Sequence, residues 1–151
     1  MDSKKAISTL NDLIETCRNG QNGFKEAAEN VKSPDLKTFL NQIATEREQF
    51  VNELQLEVRS LGGDPQKTGS ATAIHRAWLD IKGTLVGKHD QSILSECENA
   101  EDSTVEAYKA ALKVGLPTKI LSTVERQFQN IKLVHDRVKQ MRDSKAASSR
   151  R

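Results

Sequence analysis

Four polar residues interrupt otherwise apolar helical seams in this chain of 151 residues: Gln21, Arg47, Glu101 and His135. Glu46 stands beside Arg47, and Glu98 stands one helical turn before Glu101. Carboxylates, an imidazole and a guanidinium enclosed by helices can do three kinds of chemistry. They can hold a metal ion, bind a small anionic ligand at the guanidinium, or satisfy one another as a buried polar network.

The metal reading has strict requirements. A di-iron or di-manganese centre in a four-helix bundle takes one Glu from each of two helices and Glu-x-x-His from each of the other two, because residues i and i+3 share a helix face. The chain departs from this pattern three times. Gln21 stands where an acid is needed, Gln49 follows Glu46 at the position for His, and Lys132 precedes His135 at the position for Glu. Arg47 adds a fixed positive charge that repels a divalent ion. Glu98-x-x-Glu101 with His135 leaves three ligands for a single iron, manganese or zinc ion. In the network reading no cofactor is needed: Arg47 pairs with Glu101 or Glu46, His135 bonds to Glu98 or Glu101, and Gln21 satisfies what remains. Such a layer adds little net stability but fixes helix register.

These residues meet only if their helices bring them to one height. The first stretch places Ile7, Leu10, Ile14, Cys17, Gln21, Phe24, Ala28 and Val31 at alternating steps of three and four, a heptad seam. Ser33-Pro34 ends it and starts the next helix, Ser33 as N-cap and Pro34 at the first helical position. The second seam reads Leu36, Leu40, Ile43, Arg47, Phe50, Leu54, Val58 and Leu61, and Gly62-Gly63-Asp64-Pro65 stops it. A shorter amphipathic segment from Ser70 to about Val86 carries Ile74, Ala77, Trp78, Ile81 and Leu85 on one face, and is expected to cross back along the bundle with Trp78 over the core. Asp90 is expected to cap a third long helix with the seam Leu94, Cys97, Glu101, Thr104, Tyr108 and Ala111. After the corner Gly115-Leu116-Pro117 the last seam runs Leu121, Val124, Phe128, Ile131, His135 and Val138, and fades near Asp143. Counted from the Ser33 end, the four breaks lie within about 6 Å of one another at 1.5 Å per residue. A single domain over residues 1–143 with a disordered basic tail at 144–151 is expected.

Composition agrees with an all-α chain: aromatic residues are 4%, and there are only 8 Gly and 3 Pro. The formal charge is +2, and Lys145, Arg150 and Arg151 of the tail account for more than all of it. No basic footprint for nucleic acid is left. No run approaches the roughly 18 apolar residues of a membrane span, and Met1-Asp2-Ser3-Lys4-Lys5 leads into an amphipathic pattern rather than a leader, so a soluble cytoplasmic protein is expected. Cys17 and Cys97 lie on apolar stripes and read as buried, inert thiols. There is no glycine-rich phosphate loop and no Ser/His/Asp or Cys/His nucleophile set, so no catalytic residue is assigned. The small residues Gly20, Gly23, Ala27 and Ala28 permit close helix approach, either by the crossing segment or by a second copy, and a dimer is expected.

Several of these segments together resemble a known family. Leu10-Asn11-Asp12-Leu13-Ile14-Glu15 and Gly20-x-x-Gly23-Phe24-x-x-Ala27-Ala28 are joined by Arg47-x-x-Phe50-x-x-Glu53-Leu54, Leu61-Gly62-Gly63-Asp64-Pro65 and His75-Arg76-x-Trp78. Glu98-x-x-Glu101-Asp102 and His135-Asp136-x-Val138 complete the set. The combination is similar to a bacterial family of uncharacterised, ferritin-like four-helix-bundle proteins. The resemblance implies a ferritin-like fold of two antiparallel helix pairs with a crossover helix between them, and it implies no activity. A non-catalytic structural, interaction or stress-related role is expected, with a metal-handling or oxidase role on Glu98, Glu101 and His135 as the alternative.

Overall fold

Apolar residues recurring at heptad spacing bury one stripe of each helix, and Gly and Pro at the corners decide where each helix stops. The structure is a computed structural model and describes residues 3–65 and 85–149, with side chains as far as residue 144. Among these residues there are four helices: α1 (Ser3–Asn30), α2 (Pro34–Ser60), α3 (Asp90–Leu112) and α4 (Thr118–Ser149). No strand occurs among the described residues. At the first corner the Ser33 hydroxyl accepts from the Leu36 amide at 3.4 Å, and Pro34 opens α2 where its missing N–H costs nothing. α2 ends in a glycine turn. Gly62 takes a left-handed φ of 79°, and the Gly62 and Gly63 amides bond back to the Arg59 and Val58 carbonyls, each at 3.0 Å.

The helices close a four-membered ring in the order α1, α2, α4, α3, in which α2 and α4 touch least. Two side-chain bonds set the chain direction. The Asp90 carboxylate accepts from the Lys32 and Ser33 amides, at 2.8 and 3.1 Å, so α3 begins at the corner between α1 and α2. Asn11 donates to the Asp64 carbonyl at 3.2 Å, so the chain leaves α2 at the opposite end. α1 and α4 therefore run one way, and α2 and α3 the other. Neighbours in the ring are antiparallel.

Asp90 was expected to cap its own helix. His89 stands at that N-cap position, and the Asp90 carboxylate turns instead to two backbone N–H groups of the preceding corner, which need an acceptor. The expected crossing segment, with Trp78, falls on residues 66–84, outside the described residues. Its end, Leu85, is wholly buried in the core. α4 also runs past Asp143, where a disordered tail was expected, and is helical to Ser149. Lys145, Ala146 and Ala147 favour helix, so propensity carries the backbone on after the apolar seam has ended.

The core is two apolar clusters. One, at the Ser33 end, gathers Phe24, Leu40, Ile43, Leu94, Cys97 and Val138. The other gathers Leu10, Ile14, Phe50, Leu54, Tyr108 and Ile131. Among the described residues no helix is long and apolar enough to cross a membrane.

Candidate functional site

Charged groups lie at the boundary of the two clusters. Arg47 and Glu101 are both wholly buried, and among the described residues Arg47 is the largest side chain that is. Arg47 Nη1 donates to Glu101 Oε1 at 2.9 Å and Nη2 donates to Oε2, a bidentate pair of the kind guanidinium geometry favours. The Phe24 ring lies beneath the guanidinium, 5.4 Å from Cζ to the centroid. Burial pushes Arg47 towards deprotonation, but the attraction and hydrogen bonds of Glu101 outweigh it and leave the guanidinium above its ordinary range. Both oxygens of Glu101 are engaged. Arg47 Nε and Thr104 Oγ1 are buried without a hydrogen-bond partner.

A second polar set lies towards the other end. Tyr108 donates its hydroxyl to Gln127 Oε1 at 2.7 Å, and Gln127 Nε2 donates to Glu53 Oε1 at 3.1 Å and to the Phe50 carbonyl at 3.4 Å. With the Tyr108 proton so committed, the Cys17 thiol donates to the Tyr108 oxygen across 3.1 Å. Glu53 pairs in turn with Arg126 at the surface. Burial raises the Cys17 thiol to about 11 against the opposing pull of Arg47, and raises the Tyr108 hydroxyl well above its ordinary value. Cys17 and Cys97 are free and buried.

The Cys17–Tyr108 contact also fixes register. One heptad further along α1 from Cys17 is Phe24, and one heptad back along α3 from Tyr108 is Glu101. Phe24 therefore faces the ion pair, whereas Gln21 lies one turn short of it, half-buried and outside these bonds. On α4, one heptad on from Gln127 is Val134, so the core position at this height is apolar. His135 follows Val134 as Asp102 follows Glu101, and both are rotated outward on their helices. The expected bond of His135 to Glu98 or Glu101 is thus replaced by one to Asp102: Nε2 lies 2.6 Å from Asp102 and 4.0 Å from Glu98, and Nδ1 lies 3.2 Å from Asp136. Bonds from both ring nitrogens to carboxylates require the imidazolium. Burial lowers the His135 pKa, but the bonds to Asp136 and Asp102 outweigh it and raise the group. Glu98 is taken by Arg142 of α4. Glu46 is half-buried on the side of α2 that faces α4, with Oε2 buried and unpartnered.

Of the six layer residues read from the sequence, Arg47 and Glu101 meet, Glu98 and His135 lie on the flank of the same level, and Gln21 and Glu46 lie elsewhere. Tyr108, Thr104 and Gln127 were missed as site residues. Tyr108 and Thr104 were read as seam members, and Gln127 lies beside Phe128, which fits the seam equally well. Among the described residues no three or more His, Cys, Asp or Glu side chains are grouped as a metal shell requires.

Fold and site together define an all-α four-helix bundle whose two apolar cores are separated by a buried arginine–glutamate pair. The chain belongs to the family described as Domain of unknown function (DUF2383), whose model matches residues 5–114. That span holds α1 to α3, with Arg47, Glu98, Glu101 and Tyr108, whereas His135 and Arg142 on α4 lie beyond it. No curated protein matches the chain.

Proposed function

We propose that the protein is a non-catalytic, ferritin-like bundle whose role is structural or interactive, of the stress-related kind, and that it works in association with a second copy of itself. The ferritin-like reading is supported by the helix directions: two antiparallel pairs are joined by a connection that leaves at one end of the bundle and returns at the other. The observation that carries the non-catalytic reading is the closed Arg47–Glu101 pair. Each member neutralises the other, and both sit in the interior position where bundles of this topology place metal ligands.

The donor set fits a metal poorly. Iron, manganese or zinc bound by Glu98, Glu101 and His135 would have to take Glu101 from Arg47, Glu98 from Arg142 and His135 from Asp102. Zinc ligands must also converge to roughly 2.0–2.2 Å, and these three side chains face different partners. Elemental analysis of protein purified without chelators tests the reading. We expect substoichiometric transition metal, unchanged in Glu101→Ala. A near-stoichiometric ion that Glu101→Ala loses would establish the metal-handling alternative.

A further inference from the structure

The dimer expected from Gly20, Gly23, Ala27 and Ala28 needs another surface, because all four residues are buried within the chain itself. Among the described residues, the side of the bundle where neighbouring helices touch least is the seam between α2 and α4. Its half nearer the α3–α4 corner is closed by Arg126 on Glu53 and by Gln127 on Phe50 and Glu53. Its half nearer the Ser33 corner opens into a groove lined by Phe39, Ile43, Glu46, Leu133, Val134 and Met141.

Three features of the groove point to what covers it. Leu133 is 65% exposed at its rim, although few large apolar side chains are exposed among the described residues. Glu46 Oε2 and Asn130 Oδ1, on opposite walls, are buried acceptors without a donor. A buried carboxylate oxygen left unpaired is costly, so a cationic donor on the occupant is favoured. Arg126 beside Glu53 sets the level of the two helices, and one heptad onward on α4 and backward on α2 brings Leu133 beside Glu46.

The matching features occur on the same side of the same helix. Leu56, 63% exposed, continues the heptad stripe of Asp35 and Gln42, which line the groove. Arg59, one turn further, continues the stripe of Thr38, which lines it too. Arg59 is exposed and has no ion pair among the described residues. Leu56 lies ten residues from Glu46, about 15 Å along α2. A two-fold axis crossing this face midway between them, near the level of Val51, exchanges the two heights. It lays Leu56 of one copy against Leu133 of the other, and brings Arg59 within one turn of Glu46.

We propose that the α2–α4 face binds a second copy of the chain about such a two-fold axis, with Leu56 and Arg59 of each copy seated against Leu133 and Glu46 of the other. The contact is isologous, so every favourable pair occurs twice and the assembly closes as a dimer. The inference rests on the self-association reading and adds the surface and the pairing.

Sedimentation equilibrium on the full chain tests it, with circular dichroism confirming that each variant is folded; the substituted side chains are at or near the surface. The wild type is expected to be a dimer. Leu133→Asp and Leu56→Asp should each give monomer. Glu46→Arg and Arg59→Glu should each raise the dissociation constant by at least about tenfold, and the double variant, which restores opposite charges across the axis, should recover most of the loss. A dimer indifferent to all four substitutions overturns this surface while leaving self-association standing. A strictly monomeric wild type at high concentration overturns both. Single charge variants that weaken the dimer without rescue in the double variant overturn the Arg59–Glu46 pairing.

Discussion

Replacing Arg47 by Met leaves Glu101 as a lone carboxylate between two apolar clusters, since its hydrogen bonds among the described residues all come from the guanidinium. Breaking a buried pair from one side typically costs about 3–5 kcal/mol, because the surviving charge keeps its desolvation penalty and loses its partner. The whole domain is stable by roughly 5–15 kcal/mol, so Arg47→Met alone removes a large part of it. At about 2–4 °C per kcal/mol for a chain of this size, the melting temperature should fall by roughly 6–20 °C. Glu101→Met should cost a similar amount, since it strands a buried guanidinium with the Phe24 ring below it and no second carboxylate bonded to it among the described residues. In the double variant no charge is stranded, and two Met side chains fill the layer with flexible apolar volume. Its stability should return to within about 2 kcal/mol of the wild type or exceed it, as apolar replacements of buried pairs often do. Urea unfolding of the four proteins gives the coupling energy, provided the slopes agree. Single losses below about 1 kcal/mol that simply add in the double variant would refute the claim that the two charges depend on each other.

Three further outcomes are expected. His135 holds two carboxylates as an imidazolium, and its folded pKa is raised above the ordinary 6.5; its contribution to stability is therefore complete below about 6.5 and lost as pH rises through the raised folded value, and His135→Ala should abolish that loss. Imidazole titration by NMR checks it, and a folded pKa at or below the ordinary value would contradict it. Cys17, raised to about 11, should resist alkylation at pH 8 in the folded protein and react at once in denaturant; folded-state reaction at the rate of a free thiol would show that the layer opens readily. Trp78 should fluoresce at short wavelength and be shielded from acrylamide if the crossing segment packs on the bundle, whereas a solvent-like spectrum would count against the ferritin-like reading.

Four helices, their corners and the all-α class were legible in the sequence because heptad seams and Gly/Pro corners are local signals. The site was legible only in part, because its residues depend on register between helices. Counting residues from the Ser33 end places Gln21, Arg47, Glu101 and His135 within one turn of a common height. That tolerance is too coarse: one turn changes which layer a seam residue meets, and one residue turns a side chain by about 100° around the helix. Phe24 took the place assigned to Gln21, and Val134 the place assigned to His135, for this reason. Tyr108 could have been noticed as the chain's single tyrosine placed on an inward-facing seam, since a buried hydroxyl must find a partner. Gln127 carried no such signal. Nor could Asp90 be read as a tie between corners, because the sequence offers the same residue as an ordinary N-cap.

The two bonds that fix the chain direction separate the bundle's geometry from the path of its longest connection. Asp90 fastens the second hairpin to the corner of the first through the Lys32 and Ser33 amides, and Asn11 fastens the exit of α2 to α1. Both fastenings lie on the helical body, on either side of residues 66–84. A chain interrupted within that interval would keep both, so the two hairpins carry their own instructions for meeting.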